Sequence, residues 1–198
     1  MRYAFDTDIL LEFLEIAIHN ILYYRNLYPK EAYIKIQIYG IYVYISQHPE
    51  LNNYIKNTLI CVKELVQENK NHLNSINLLY VNELNIPIEK FVFYFNQLEI
   101  SPSKTDPCFK RPEEVLKNLC LNLSMLEICL KPLPINSSFY INIITNCITH
   151  LVIAENSKSY NFPWTIDYDF KKMESGLLLP INNFKVDCFE LQLVVIEN

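Results

Sequence analysis

The chain has 198 residues, 51% of them hydrophobic with 14 Tyr and 11 Phe, which supplies one sizeable aromatic core and predicts a single domain with an elaborated terminus. A formal net charge of -5 with scattered basic residues makes the surface a poor attractor for nucleic-acid phosphates, and two glycines, Gly40 and Gly176, are too few for a phosphate-cradling loop. Six cysteines show neither a C-x-x-C pair nor a histidine at finger spacing, so zinc and redox chemistry are not signalled and free thiols are expected, with Cys61, Cys120 and Cys129 buried in helical apolar patterns.

Asp6, Thr7 and Asp8 offer N-cap oxygens to a first helix whose apolar positions from Ile9 onward follow the three-four rhythm. It is expected to end near Tyr28, before Pro29, and to keep a wet face at Glu12, Glu15 and His19. These three and Arg25 interrupt the apolar run too often for a signal or membrane helix. Ile34, Ile36 and Ile38 alternate with other residues, and the alternation resumes out of phase at Ile41, Val43 and Ile45. A hairpin with Tyr39 and Gly40 at its tip explains the flip and puts all six on one face.

Pro49 opens a second helix, whose buried stripe runs through Leu51, Tyr54, Ile55, Thr58, Leu59, Val62, Leu65 and Val66. After a polar break at 69–74, strands are expected at 76–81 and 88–95. The second is apolar on both faces, as a strand in the middle of a covered sheet would be. Pro112, Glu113 and Glu114 open a third helix that Lys131-Pro132 closes, and a strand follows at 139–145. Residues 146–198 differ in kind: short strand-like pieces at 150–154 and 188–196 flank an irregular stretch with Phe162-Pro163-Trp164 and Leu177-Leu178-Leu179-Pro180. Its hydrophobicity predicts a segment wrapped over a preformed body.

Catalytic chemistry finds no footing. Glu12, Glu15 and His19 read as helix-surface pairing, and Asp167 and Asp169 lack the further oxygen ligands that a calcium or magnesium ion requires. No nucleophile elbow, zinc-protease helix, Walker loop or dinucleotide fingerprint is present, so neither an enzyme nor a bound cofactor is expected.

Three groups of residues carry a family pattern. The first is Glu12-Phe13-Leu14-Glu15-Ile16-Ala17 through His19, Ile21-Leu22-Tyr23, Arg25 and Tyr28-Pro29. The second is His48-Pro49-Glu50-Leu51-Asn52, Tyr54-Ile55, Thr58-Leu59 and Cys61-Val62-Lys63, and the third is Pro87, Glu89-Lys90-Phe91-Val92-Phe93 and Phe162-Pro163-Trp164. With the element order above, the chain resembles the HORMA family, and within it the accessory subunits of translesion DNA polymerase zeta. The resemblance implies an α+β fold with three helices packed on an antiparallel sheet, a β-hairpin, a core body at 1–145 and a C-terminal safety belt at 146–198.

It further implies a non-catalytic adaptor in translesion synthesis and DNA repair. The belt would close over an extended, proline-containing peptide of the polymerase zeta catalytic subunit, with Tyr54, Trp164 and Tyr28 as peptide contacts. A second surface, at Leu178, Gln192 and Val194, would dock the C-terminal domain of a scaffold polymerase, the deoxycytidyl transferase. Val194 stands where the family has a tyrosine, which removes a phenol ring from that patch. Lys117 stands where the family has an arginine associated with self-pairing, and keeps its charge without the planar fork. The resemblance implies a nuclear and cytoplasmic location, and the charge and the interrupted apolar run already predict no direct contact to nucleic acid or membrane. The alternative within the same fold is a spindle-checkpoint or meiotic protein capturing a different closure peptide.

Overall fold

A computed structural model of the chain describes residues 3–68, 73–97, 112–145, 164–165, 176–186 and 189–198. Its first helix, α1 (Tyr3–Tyr24), begins upstream of the expected cap, so Asp6, Thr7 and Asp8 lie within its first turns. Asp8 pairs instead with Lys63, at 2.7 Å. The helix also stops four residues before Tyr28: Asn26 adopts a left-handed φ of 51°, the conformation that commonly ends a helix, and its N–H bonds the Tyr23 carbonyl.

The expected wet face holds at Glu15, which is exposed, and in part at Glu12, but not at His19. Ile16, Ala17, Ile18, His19, Asn20, Ile21 and Leu22 are all buried, because α1 runs between a hairpin on one side and helices on the other. The two polar members are matched by the hairpin backbone. His19 Nδ1 accepts the Ser46 N–H at 3.4 Å, the Asn20 side-chain oxygen accepts the Tyr44 N–H at 3.2 Å, and the Asn20 amide donates to the Ile16 carbonyl. Burial drives the His19 pKa down to about 4, so the ring is a neutral acceptor.

The hairpin, β1 (Tyr33–Ile38) and β2 (Ile41–Ser46), has the expected register, with Ile38 opposite Ile41, Ile36 opposite Val43 and Ile34 opposite Ile45. Positive φ at both Tyr39 and Gly40 gives the turn whose twist matches paired strands. Its apolar face is covered unevenly: Val43 is fully buried against α1, whereas Ile34 is 40% exposed. Next, α2 (Pro49–Glu68) starts at the expected proline, with His48 Nδ1 accepting the Leu51 N–H, and buries Leu51, Ile55, Thr58, Leu59, Val62 and Leu65.

A five-stranded antiparallel sheet has the order β5-β3-β4-β7-β6, built from β3 (Leu73–Val81), β4 (Pro87–Gln97), β5 (Ser138–Thr145), β6 (Leu177–Val186) and β7 (Phe189–Glu197). β4 lies in the middle, as its two apolar faces require. Alternate residues, among them Leu78, Tyr80, Phe91, Phe93, Ile141, Leu193 and Val195, join α1 and α2 and the helix α3 (Pro112–Ser124) in one core. The third helix is shorter than expected. It breaks at Met125, whose N–H turns back to the Asn122 carbonyl, and a single-turn helix α4 (Leu126–Cys129) follows. Cys129 is consequently exposed, while Cys61 is buried as expected.

The strand β6 is absent from the sequence reading. It holds Pro180, Asn182 and Asn183, which disfavour strands, yet a bulge between Pro180 and Asn182 and its place at the sheet edge accommodate them. The strand expected at 150–154 and the loop aspartates Asp167 and Asp169 lie outside the described residues. One buried ion pair ties the layers together. Arg25 at the end of α1 binds Glu89 of β4 through Nε at 2.8 Å and Nη2 at 2.7 Å, with both side chains almost fully enclosed.

Candidate peptide-binding edge

Tyr54 projects from the buried stripe of α2 to the rim of the sheet, where its hydroxyl takes the N–H of Ile141 at 2.8 Å. An N–H engaged there is not engaged with β3. Because backbone direction alternates along a strand, Phe139, Ile141 and Ile143 turn their N–H and C=O groups away from β3, toward the open side of β5. Among the described residues β5 has no second neighbour, so this rim is one of the two edges of the sheet.

Phe139 is the hub of an aromatic group on that rim. The rings of Tyr28 and Tyr54 meet it edge-on, with centroids 6.3 and 5.9 Å away, and Tyr80 lies tilted at 6.4 Å. Tyr28 gets there because the left-handed turn at Asn26 redirects the chain after α1, and it keeps 38% of its surface exposed. Burial pushes the phenol pKa of both Tyr28 and Tyr54 up, so both stay neutral and keep their protons. The structure therefore gathers two of the three expected peptide contacts around a residue, Phe139, that the sequence reading did not single out. Its hub position depends on a long-range pairing of β5 with β3, for which no local motif exists. Trp164 is half-buried, beside an exposed Thr165.

The second expected surface lies on the returning strands. Leu178 stands opposite Ile196, and Gln192 and Val194 lie on that same face of β7, away from the helices. Leu178 is 54% exposed and Gln192 half-buried, but Val194 is 2% exposed and presents no side chain to a partner. Lys117 is exposed on α3. Among the described residues no group of three or more His, Cys, Asp or Glu could hold a metal, and no helix is long and apolar enough to cross a membrane. What the β5 rim offers is outward backbone groups flanked by aromatic faces, the combination that binds an extended chain.

The HORMA domain model matches residues 7–120. The mitotic spindle assembly checkpoint protein MAD2B of Danio rerio is 33% identical over 191 residues, covering 96% of this chain and 90% of that protein. DNA polymerase zeta subunit 2 of Drosophila melanogaster is 25% identical, covering 91% of this chain and 92% of that protein. The fold also superposes on C. elegans HTP-2 bound to a HIM-3 closure motif, with a TM-score of 0.68 at 12% identity, covering 97% of this chain and 90% of that one. From the helix-and-hairpin body at its start to the sheet completed by its last strands, the chain belongs to the HORMA domain family, among relatives named MAD2B and DNA polymerase zeta subunits.

Proposed function

We propose that this protein is a non-catalytic adaptor that captures an extended, proline-containing peptide of the polymerase zeta catalytic subunit and bridges it to a scaffold polymerase in translesion synthesis and repair, acting in the nucleus and cytoplasm. The observation that carries this reading is the β5 edge, open among the described residues, with Tyr28 and Tyr54 set about Phe139. A relative named as a polymerase zeta subunit and a protein of the same fold that binds a closure motif support it. The peptide's backbone pairs with β5 while its prolines rest on the aromatic faces, and Trp164, in the belt, covers it. Bridging falls to the face bearing Leu178 and Gln192.

The test is isothermal titration of a proline-containing peptide from the catalytic subunit. Tyr54→Ala and Trp164→Ala are each expected to weaken binding tenfold or more, with unchanged circular dichroism; wild-type affinity in both variants would sink the proposal. The checkpoint name of the MAD2B relatives favours a second reading, capture of a checkpoint closure peptide. Recovery of checkpoint proteins from cells without any polymerase subunit would select it.

A further inference from the structure

The β6–β7 hairpin returns to the sheet beside β4 with an apolar pattern that does not by itself choose one register. Leu191, Leu193 and Val195 stand opposite Phe95, Phe93 and Phe91. Side chains alternate with a period of two, so a slip of two residues leaves every one on its original face. In one direction the slip places Glu197 opposite Phe91, carrying a carboxylate into the apolar core, and desolvation forbids it. In the other it sets Leu193 opposite Phe91 and Leu191 opposite Phe93, and the apolar contacts survive.

Polar contacts separate the two survivors. In the observed register Glu197 Oε1 accepts the N–H of Lys131 at 2.8 Å, while the carbonyl of that same Lys131 accepts Arg25 Nη2 at 2.6 Å. The residue that donates to Glu197 is thus itself held, through its carbonyl, by the Arg25 of the buried Arg25–Glu89 pair. On the other strand of the hairpin, the Asn122 amide donates to the Ile181 carbonyl at 2.8 Å, at the bulge between Pro180 and Asn182. Both contacts single out a position along the strand, which the apolar pairs do not. Glu197 is moreover only 9% exposed and close enough to Glu89 for its charge to disfavour the neighbouring carboxylate. Two neighbouring enclosed carboxylates, only one of them paired with the Arg25 guanidinium, are a poor source of stability and a good source of a unique arrangement.

We infer that Glu197 and Asn122 are positioning residues that pin the register of the β6–β7 hairpin against the body. A two-residue slip moves the hairpin about 7 Å along β4, taking Leu178 and Gln192 with it. Only that consequence, misplacement of the bridging face, rests on the adaptor reading; the pin itself is a property of the free protein.

Nuclear magnetic resonance on the labelled protein without peptide reads the register directly. Cross-strand NOEs join Val92 to Val194 in the observed register and Val92 to Gln192 in the slipped one. Wild type and Glu197→Gln, which keeps an acceptor oxygen for Lys131, are expected to show the first set alone. Glu197→Ala combined with Asn122→Ala is expected to add the second set at a tenth or more of the population. A single native set in that double variant overturns the inference. Should the double variant not fold, the same reading is taken on Glu197→Asp, whose shortened arm withdraws the oxygen from Lys131, and an unchanged single set there overturns it equally. Because no peptide is present, a failure of peptide capture leaves this outcome unaffected.

Discussion

The two edges of the sheet are built from opposite materials. β5 is an eight-residue strand without proline or glycine, and its outer rim carries aromatic rings. β6 contains Pro180, a bulge and two asparagines, and its exposed leucines, Leu177 and Leu178, sit at one end. Proteins blunt their edge strands with prolines and bulges to prevent unwanted pairing. By that standard β6 is guarded and β5, among the described residues, is left open, a difference expected if one edge is reserved for an incoming strand. In the described sheet the two edges lie about 19 Å apart, across four strand spacings.

The sharpest way to break this contrast is to guard the open edge. Ile143 turns its N–H outward by the alternation that Ile141 establishes, so Ile143→Pro removes a group that β3 does not use. Peptide affinity is expected to fall about 100-fold, or ~2.7 kcal/mol, with little loss of stability. Asn183→Pro on the already guarded edge is expected to change affinity less than about twofold. Equal effects at both edges in titration calorimetry would erase the distinction.

Acidity separates the two parts of the chain that build these edges. His19, within the body, has its pKa lowered by burial from 6.5 to about 4. The stability it contributes is present above pH 6.5 and is lost as pH falls toward 4. Glu89 lies where the returning strand meets the body. Burial, opposed by Arg25 and aided by Glu197, raises its pKa from 4.5 to about 7. Its contribution is full below pH 4.5 and is lost as pH rises through 7. The two slopes oppose each other in the wild type. Glu89→Gln, which leaves the histidine alone, is expected to lose about 2 kcal/mol between pH 7.5 and pH 5. His19→Gln is expected to gain stability over the same interval. Urea denaturation along a pH series checks both signs, and parallel slopes in the two variants would refute the assignment.

How much of this the sequence contains depends on whether the physics is local. The hairpin was legible to the residue, because Tyr39-Gly40 and the phase flip of the isoleucines are short-range signals. Pro49 and the stripe of α2 were legible for the same reason. Burial of His19 was not, since the part of α1 that bears His19 and Asn20 is covered by a hairpin whose docking no helical period encodes. β6 was hidden because Pro180, Asn182 and Asn183 disfavour a strand and the pairing comes from β7. At the candidate site, Tyr54 stood out through a family resemblance and not through its chemistry, and Phe139 did not stand out at all. Its role comes from strands far apart in sequence.

The smallest expected effect is also the most specific to the open edge. Tyr54→Phe keeps the ring against Phe139 and removes only the oxygen that accepts the Ile141 N–H. A half-buried amide losing its acceptor costs about 1 kcal/mol. If the loss is local, exchange of the Ile141 amide with solvent should quicken about fivefold, while the amides of the β6–β7 hairpin stay as they were. A loss this small that still weakens peptide capture would mean that the hydroxyl aligns the edge for its partner. One that leaves capture unchanged would assign the hydroxyl to closing the edge when no partner is present. An Ile141 amide exchanging at its wild-type rate would show that Tyr54 does neither, and the contrast between the two edges would then rest on the aromatic rings alone.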